Sequence, residues 1–480
     1  MSVRQKTVRG SAWIAGSTLL LAGAQFVQLV CLARILGPSD YGVVSILVTV
    51  LGFFEMLMVS GISNAIIQRA NVTREELSSL HWLNTILGAV IGLGTFFAAP
   101  AIADYFNSPA AEIPIMMLSL ASVVNSQSHV SRASLEKELR FKPVAIIEFI
   151  SGICSIVLVV LGASAYGVTG VGIGMVSGFL IRSILFFSAA RSTVRLQPHF
   201  SFNETRRFLS FGVFQLLNSV VGYLDGNMAN LVIGRALNSR ALGGYNVAYN
   251  LSVTVPSRVN PIVTRVMFPA FSKVNHDAQR FRAISLKLIT FTGLVNTPVL
   301  LAMAITAPTL VPFVFGDQWS WVFPVVQIMA LGCLARSMGN PMGVIIMSCD
   351  RQRLGLVINI VKSIASAAVL IYCVSEWQLI GAAVALLING LLTLIINHFL
   401  LRYLLAAGLG SIFGAHILPI IIGVPALCVG YLSVQLLEGW APVLLQIIIV
   451  WALVGFIYLA TAWLSRVKVL REVVQQLRQR

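Results

Sequence analysis

The sequence predicts an all-α integral membrane protein of about fourteen transmembrane helices, set out as two six-helix lobes and two further helices. Three observations predict it. The first is composition: the chain is 57% hydrophobic and only 10% charged, with a mean hydropathy of +0.88. Soluble domains carry about 25% charged residues, so polar side chains here cannot cover a water-facing surface and lipid is the main solvent. The second is pattern. In lipid each backbone amide must be paired within a helix or a closed barrel. The apolar runs are long and continuous, without period-two alternation, which selects helices. The third is a recurring corner. Leu32-Ala-Arg34-Ile-Leu36-Gly-Pro-Ser-Asp-Tyr-Gly42 is echoed 201 residues later by Ile233-Gly-Arg235-Ala-Leu237-Asn-Ser-Arg-Ala-Leu-Gly243. Both close one apolar run and open the next. An offset near 200 residues spans six helices, which predicts parallel repeats related by an axis along the membrane normal, with substrate between them.

Taken in order, the apolar runs place spans near 12–36, 41–61, 81–103, 113–132, 143–163 and 165–189. The second set falls near 208–234, 241–268, 286–306, 322–348, 355–374 and 378–402, and the last pair near 412–434 and 441–464. The domains follow as 1–200, 201–405 and 406–480, the last holding the appended pair and a tail. Arg4, Lys6 and Arg9 precede the first run, which is too long for a signal-peptide core and is read as a retained helix. The longest inner connection, near 190–207, carries His199 and a Ser-Phe-Asn-Glu-Thr run that reads as a capped helix start. No stretch is long enough for a soluble catalytic domain.

Of the 33 Lys and Arg, 29 fall on one face, while Arg34, Arg235 and Arg240 fall on the other with Asp40, Asp104, Glu112, Asp317, Glu376 and Glu438. That asymmetry puts both termini in the cytoplasm. The formal charge of +16 is thus a retention signal facing anionic headgroups and does not indicate a nucleic-acid partner.

Several polar residues stand where lipid would not tolerate them. In the eighth span Asn246, Asn250, Thr254 and Arg258 recur every four residues and form one stripe, beside Pro256 and Pro261. The seventh has Gln215, Asn218, Gly222 and Asp225; the fourth has Asn125, His129 and Arg132 on one face. Arg336 and Asn340 lie one turn apart in the tenth, and Lys362 lies well inside the eleventh. For any single residue, snorkelling and interhelical hydrogen bonds suffice. Several helices at once predict a shared aqueous cavity. Its sign comes from Arg34, Arg132, Arg235, Arg258, Arg336 and Lys362, which suit an anion such as phosphate. For Arg34 and Arg235 the alternative is contact with outer-leaflet phosphates. Three acids lie inside spans. Glu148 is expected to neutralise Arg132, and Glu55, Asp225 or Glu148 itself is a candidate for ion coupling. His398 and His416 read as packing residues. No Walker A sequence, metal-ligand set or nucleophile–base pair is present, so no cofactor, metal or enzymatic activity is expected. The six cysteines lack metal spacing and read as packing residues.

The opening Arg-Gln-Lys-Thr-Val-Arg-Gly-Ser-Ala-Trp13, the Leu32 to Gly42 corner, Gly243-Gly-Tyr245-Asn-Val-Ala-Tyr249-Asn and Phe268-Pro-Ala-Phe-Ser-Lys273 carry a resemblance. They are similar to the Wzx-type flippases of lipid-linked oligosaccharides in the multidrug/oligosaccharidyl-lipid/polysaccharide (MOP) superfamily, which includes the MATE transporters. The resemblance covers nearly the whole chain. It implies a two-lobed transporter of the bacterial inner membrane that moves an oligosaccharide repeat unit on undecaprenyl pyrophosphate between leaflets by alternating access. It implies a surface-polysaccharide pathway, with a polymerase and a chain-length regulator as functional partners. A peptidoglycan-precursor flippase needs the same basic cavity and stays open. A cation-coupled multidrug extruder is expected to carry an acid in its first helix, and residues 12–36 hold none. A membrane polymerase or ligase would want a large outer loop.

Overall fold

Every regular element among the described residues is helical. The computed structural model describes residues 3–59, 66, 72–191, 197–253, 256 and 277–465, without the side chains of 3–12, 15, 59, 203–204, 206–215, 217–218 and 352. The helices are α1 (Val3–Ile35), α2 (Pro38–Val59), α3 (Arg74–Tyr105), α4 (Glu112–Lys137), α5 (Phe141–Ala190), α6 (Phe202–Ala236) and α7 (Ser239–Ser252). They continue with α8 (Ala278–Phe315), α9 (Phe323–Gly339), α10 (Met342–Ser348), α11 (Gln352–Leu405), α12 (Leu409–Leu437) and α13 (Val443–Leu464). Ten candidate spans among the described residues are long and apolar enough to cross a membrane. Their outward side chains, such as Phe97, Phe456 and Trp463, are large and apolar, as a lipid solvent requires. The chain is a multi-pass membrane protein.

Local chemistry sets the helix ends. Thr73 and Glu76 form a reciprocal capping box at the start of α3: the Glu76 amide donates to Thr73 Oγ1 at 3.2 Å and the Thr73 amide to the Glu76 carboxylate at 2.9 Å. The Ser201 start of α6 has no such side-chain bond.

At 50 residues α5 would be about 75 Å long if straight, against about 30 Å of hydrocarbon. It is two limbs. Tyr166 (φ −133°) and Gly167 (φ +57°) leave helical geometry, and the chain folds back on itself. A Cβ on Gly162 would overlap the Gly170 carbonyl, and Gly174 and Gly178 meet Val159 and Ser155. These pairings are those of an antiparallel hairpin with glycine letting the backbones touch. α11 repeats the device. Trp377 and Gln378 break it, Gly381 meets the Cys373 carbonyl, and Asn389 Nδ2 donates to the Ser366 carbonyl at 3.5 Å.

The residues divide into two compact units, Met1–Gly243 and Gly244–Arg480. In the first, α4 packs between α3 and α5, α1 lies along α5, and α6 packs on α2. The Tyr223 hydroxyl donates to the Thr49 carbonyl, and Asn230 Nδ2 donates to Thr49 Oγ1 at 3.2 Å. The recurring corner folds against its own echo. A Cβ on Gly42 would overlap the Ser239 carbonyl, and a Cβ on Gly243 would crowd the Pro38 carbonyl. Pro38 and Ser239 share the same 201-residue offset as Gly42 and Gly243, so the contact is two-fold in form. In the second unit α12 and α13, expected as an appendage, share a core with α8 through Leu294, Ile305, Ile422, Val450 and Tyr458. The Tyr458 hydroxyl donates to the Pro419 carbonyl at 3.2 Å, and Trp451 Nε1 to Thr306 Oγ1 at 3.1 Å.

The two hairpin turns differ in one respect. Gly167 sits at φ +57° without strain, while Gln378 holds φ +50° and ψ −129°, a region that favours glycine. Gly167→Ala should therefore cost about 1–3 kcal/mol, and Gln378→Gly should leave stability unchanged or raised. Thermal unfolding of the purified protein in detergent checks both; equal losses would contradict the argument.

Candidate functional site

A cluster of buried and half-buried charges lies at one end of the first unit. On α4, Asn125, His129, Arg132 and Glu136 recur at spacings of three and four and share a face. That helix is held close to α3 by small residues: Gly88 and Gly92 abut Ser126, Ser119 and Ser122, and Asn84 Nδ2 donates to the Ser126 carbonyl at 2.7 Å. The first limb of α5 supplies Glu148. The returning limb supplies Arg182, beside Ser183, whose hydroxyl donates to the Val124 carbonyl of α4 at 2.7 Å. α2 supplies Glu55.

The geometry is a chain of ion pairs. Arg132 Nη1 meets Glu148 at 2.8 Å and its Nε meets Glu136 at 2.9 Å. Arg182 reaches the same Glu148 oxygen at 3.6 Å and Glu55 at 3.9 Å. Asn125 Nδ2 donates to Glu55 at 3.3 Å. The Arg182 guanidinium also stacks on Phe186, 5.9 Å from the ring centre. His129 is 4% exposed, and its Nε2 has no hydrogen-bond partner among the described residues. Glu55 is the loosest member, with its side chain 40% exposed. Two guanidinium groups thus face three carboxylates. A guanidinium has five N–H donors, so each arginine can take on an anion oxygen while exchanging a carboxylate.

Glu148 pairs with Arg132, as the sequence reading favoured. Arg182 was missed as a site residue: it falls inside the 165–189 apolar run and was counted only with the cations flanking the inner connection. α5 continues to Ala190, which puts Arg182 about 12 Å inside the helix end. Its spacing across the hairpin from Glu148 is the signal that reveals it.

The other expected cations are placed elsewhere. Arg34 is exposed at the end of α1. Arg235 is exposed at the end of α6, where its Nη1 donates to the Asp104 and Tyr105 carbonyls at 3.4 and 3.3 Å and stacks on the Tyr105 ring. Asn107 Nδ2 donates to the Arg235 carbonyl at 3.0 Å. Arg235 therefore sits on the carbonyl end of α3, a favourable place for a cation. α4 starts at Glu112, just past this junction, and Arg132 lies 20 residues further on, about 30 Å along the helix. The first unit thus keeps Arg34 and Arg235 at one end and the Arg132–Arg182 cluster at the other.

In the second unit Arg336 and Asn340 are exposed at the end of α9, and Lys362 is half-buried on the first limb of α11. Asn246 and Asn250 are half-buried on α7, with Asn250 Nδ2 donating to the Asn246 carbonyl at 2.8 Å. Asp225 is exposed on α6. Thr254 and Arg258 lie outside the described residues, as do the side chains of Gln215 and Asn218. His416 is buried and bonded to the Ile412 carbonyl at 3.0 Å, with the His398 ring 6.4 Å away.

Comparison with known proteins adds to this geometry. A family described as "Polysaccharide biosynthesis protein" matches residues 31–324. The chain belongs to this family. It is 32% identical to the lipopolysaccharide biosynthesis protein WzxC of Escherichia coli K12, over 92% of this chain and 90% of that one. It is 25% identical to the succinoglycan biosynthesis transport protein ExoT of Rhizobium meliloti 1021, over 82% and 80% of the two chains. The family member described here is a flippase for polysaccharide biosynthesis, and not an enzyme. Its fold is similar to that of the lipid II flippase MurJ in an inward closed conformation, with a TM-score of 0.72, 15% identity, and 94% of this chain and 98% of that one covered.

The ion-pair chain makes a stability prediction. Glu148→Gln removes partners from both arginines and should cost about 1–3 kcal/mol, below the roughly 3–5 of a fully buried pair because the side chains keep some exposure. Adding Arg182→Gln should recover part of the loss. Thermal unfolding of the two single variants and the double variant measures the coupling; strict additivity would show that the groups do not interact.

Proposed function

We propose that this protein moves an undecaprenyl-pyrophosphate-linked oligosaccharide repeat unit across the bacterial inner membrane by alternating access, feeding exopolysaccharide synthesis. Counting each hairpin limb as a crossing, together with α6 and the α7 region, gives fourteen crossings in two six-helix repeats and a final pair. An even count with 29 of 33 cations on one face supports cytoplasmic termini.

The observation that carries the reading is the Arg132–Arg182 cluster, at the end of the first unit that this topology turns toward the cytoplasm. A pyrophosphate offers the paired acceptor oxygens that guanidinium groups bind best. Binding replaces Glu148 and Glu55 as the arginines' partners, and the polyprenyl tail stays in lipid. Glu55 is the coupling group we favour over Asp225, because it touches Arg182 and keeps access to solvent. Arg34 and Arg235 act at the outer surface, where the Gly42–Ser239 and Gly243–Pro38 contacts close the far end and separate when the carrier faces outward.

Two experiments test this. Arg182→Ala and Arg132→Ala should each reduce polysaccharide export at least tenfold relative to the amount of folded protein in the membrane; wild-type export per folded protein in both variants would remove the cluster from the cargo path. The outer contact is tested by labelling. A cysteine at Ser239 should react slowly with a membrane-impermeant maleimide added outside, and faster when Gly42→Leu is present, with export lost. Gly37→Ala, where no atom lies within 4 Å of the added Cβ, is the neutral control. Unchanged labelling and export in the Gly42→Leu protein would rule out a closing contact.

A further inference from the structure

The second unit carries a groove that the transport reading does not use. It lies between the two limbs of α11 and encloses about 430 Å³, within the range of roughly 300–1,000 Å³ typical of small-molecule sites. Leu354 and Ile358 line it from the first limb, and Ile396, Phe399 and Tyr403 from the second. Phe399 and Tyr403 are more than 60% exposed, so the groove opens outward from the bundle. In a membrane-spanning hairpin the medium outside is lipid.

One end of the groove is strongly charged. Arg351 forms part of its wall. The limbs are antiparallel, so the start of the first, with Arg351 and Arg353, and the end of the second, with Arg402, lie at the same level of the hairpin. All three arginines are exposed. Asp350 is the one acid next to them in sequence, which leaves an excess of two positive charges. Further along, the walls of the groove are apolar. A cationic mouth on an apolar slot matches a molecule with a phosphate head and a hydrocarbon chain, and basic pockets between membrane helices are suited to such heads.

We propose that this groove binds one anionic phospholipid of the surrounding leaflet, with its phosphate on Arg351 and Arg402 and one acyl chain along Ile358, Ile396 and Phe399. A phospholipid is favoured over the cargo because the groove faces away from the bundle and lies in the unit that does not hold the Arg132–Arg182 cluster. The site depends on the membrane-spanning fold and is independent of the cargo assignment. A lipid held there bridges the two limbs and ties the hairpin to the headgroup layer.

The test uses the full-length protein purified in a neutral detergent. Phosphatidylglycerol should raise the unfolding temperature by several degrees more than phosphatidylcholine does. The Arg351→Ala/Arg402→Ala protein should keep its lipid-free unfolding temperature and lose that difference. Ile358→Trp, which fills the slot and leaves the cations in place, should weaken the effect as well. A phosphatidylglycerol shift that survives in both variants, or equal shifts from the two lipids, would overturn the proposal. Displacement of bound phosphatidylglycerol by undecaprenyl phosphate at a lower concentration than by phosphatidylglycerol itself would reassign the groove to the polyprenyl carrier.

Discussion

The contact between Arg132 and Glu148 at 2.8 Å is the constraint on which the first unit depends. A cation on a membrane helix costs roughly 2.5–3.5 kcal/mol at mid-span, so an arginine there must find a carboxylate or water. Arg132 finds two carboxylates, and one of them is shared with Arg182. This ties α4 to both limbs of α5, and through Glu55 to α2. Ion pairs are directional where apolar packing is not, so they fix helix register in a setting where many registers bury similar surface. The hairpin turn at Gly167 follows from this. The returning limb must bring Arg182 back to the level of Glu148, and a tight turn with glycine-lined limbs sets that level.

The opposite end of the unit is held by different means. There the backbone of each copy of the repeated corner lies against the other, Gly42 on Ser239 and Gly243 on Pro38. Glycine lets the two backbones touch there, and Arg235 bonds the Asp104 and Tyr105 carbonyls beside them. Under the proposed function the contrast suits alternating access, with a strongly coupled polar cluster for recognition and a seam of small residues where the path would open.

Much of this was legible in the chain. Composition set the solvent, long apolar runs set helices, and breaks near 164 and 376 marked both hairpin turns. The matching Arg34 and Arg235 corners marked two segments that meet in the fold, and the shared face of Asn125, His129 and Arg132 pointed at the cluster. Two things were not legible. A helical period shows which residues share a face of one helix, but cannot show which helices meet, so Arg182 passed as one more cation near the inner end of a span. Nor does charge alone give depth. The sequence put Arg235 on the opposite face from Arg132 yet counted both among the cations of one cavity; Arg235 caps the carbonyl end of α3, about 30 Å from Arg132. The sequence also suggested a cationic chamber, and the described cluster instead contains more carboxylates than arginines.

That surplus of carboxylates bears on how a flippase avoids holding its cargo. A pocket of bare arginines would be costly to maintain when empty and would bind a pyrophosphate too tightly to release it. With Glu148 and Glu55 already in place, the arginines are paired, and under the proposed function the cargo would gain only the difference between its own phosphates and the carboxylates it displaces. The same exchange in reverse would drive release, because tethered carboxylates return at high effective concentration. In the proposed cycle this exchange would let the cluster bind on one side of the membrane and let go on the other without leaving an arginine unpaired.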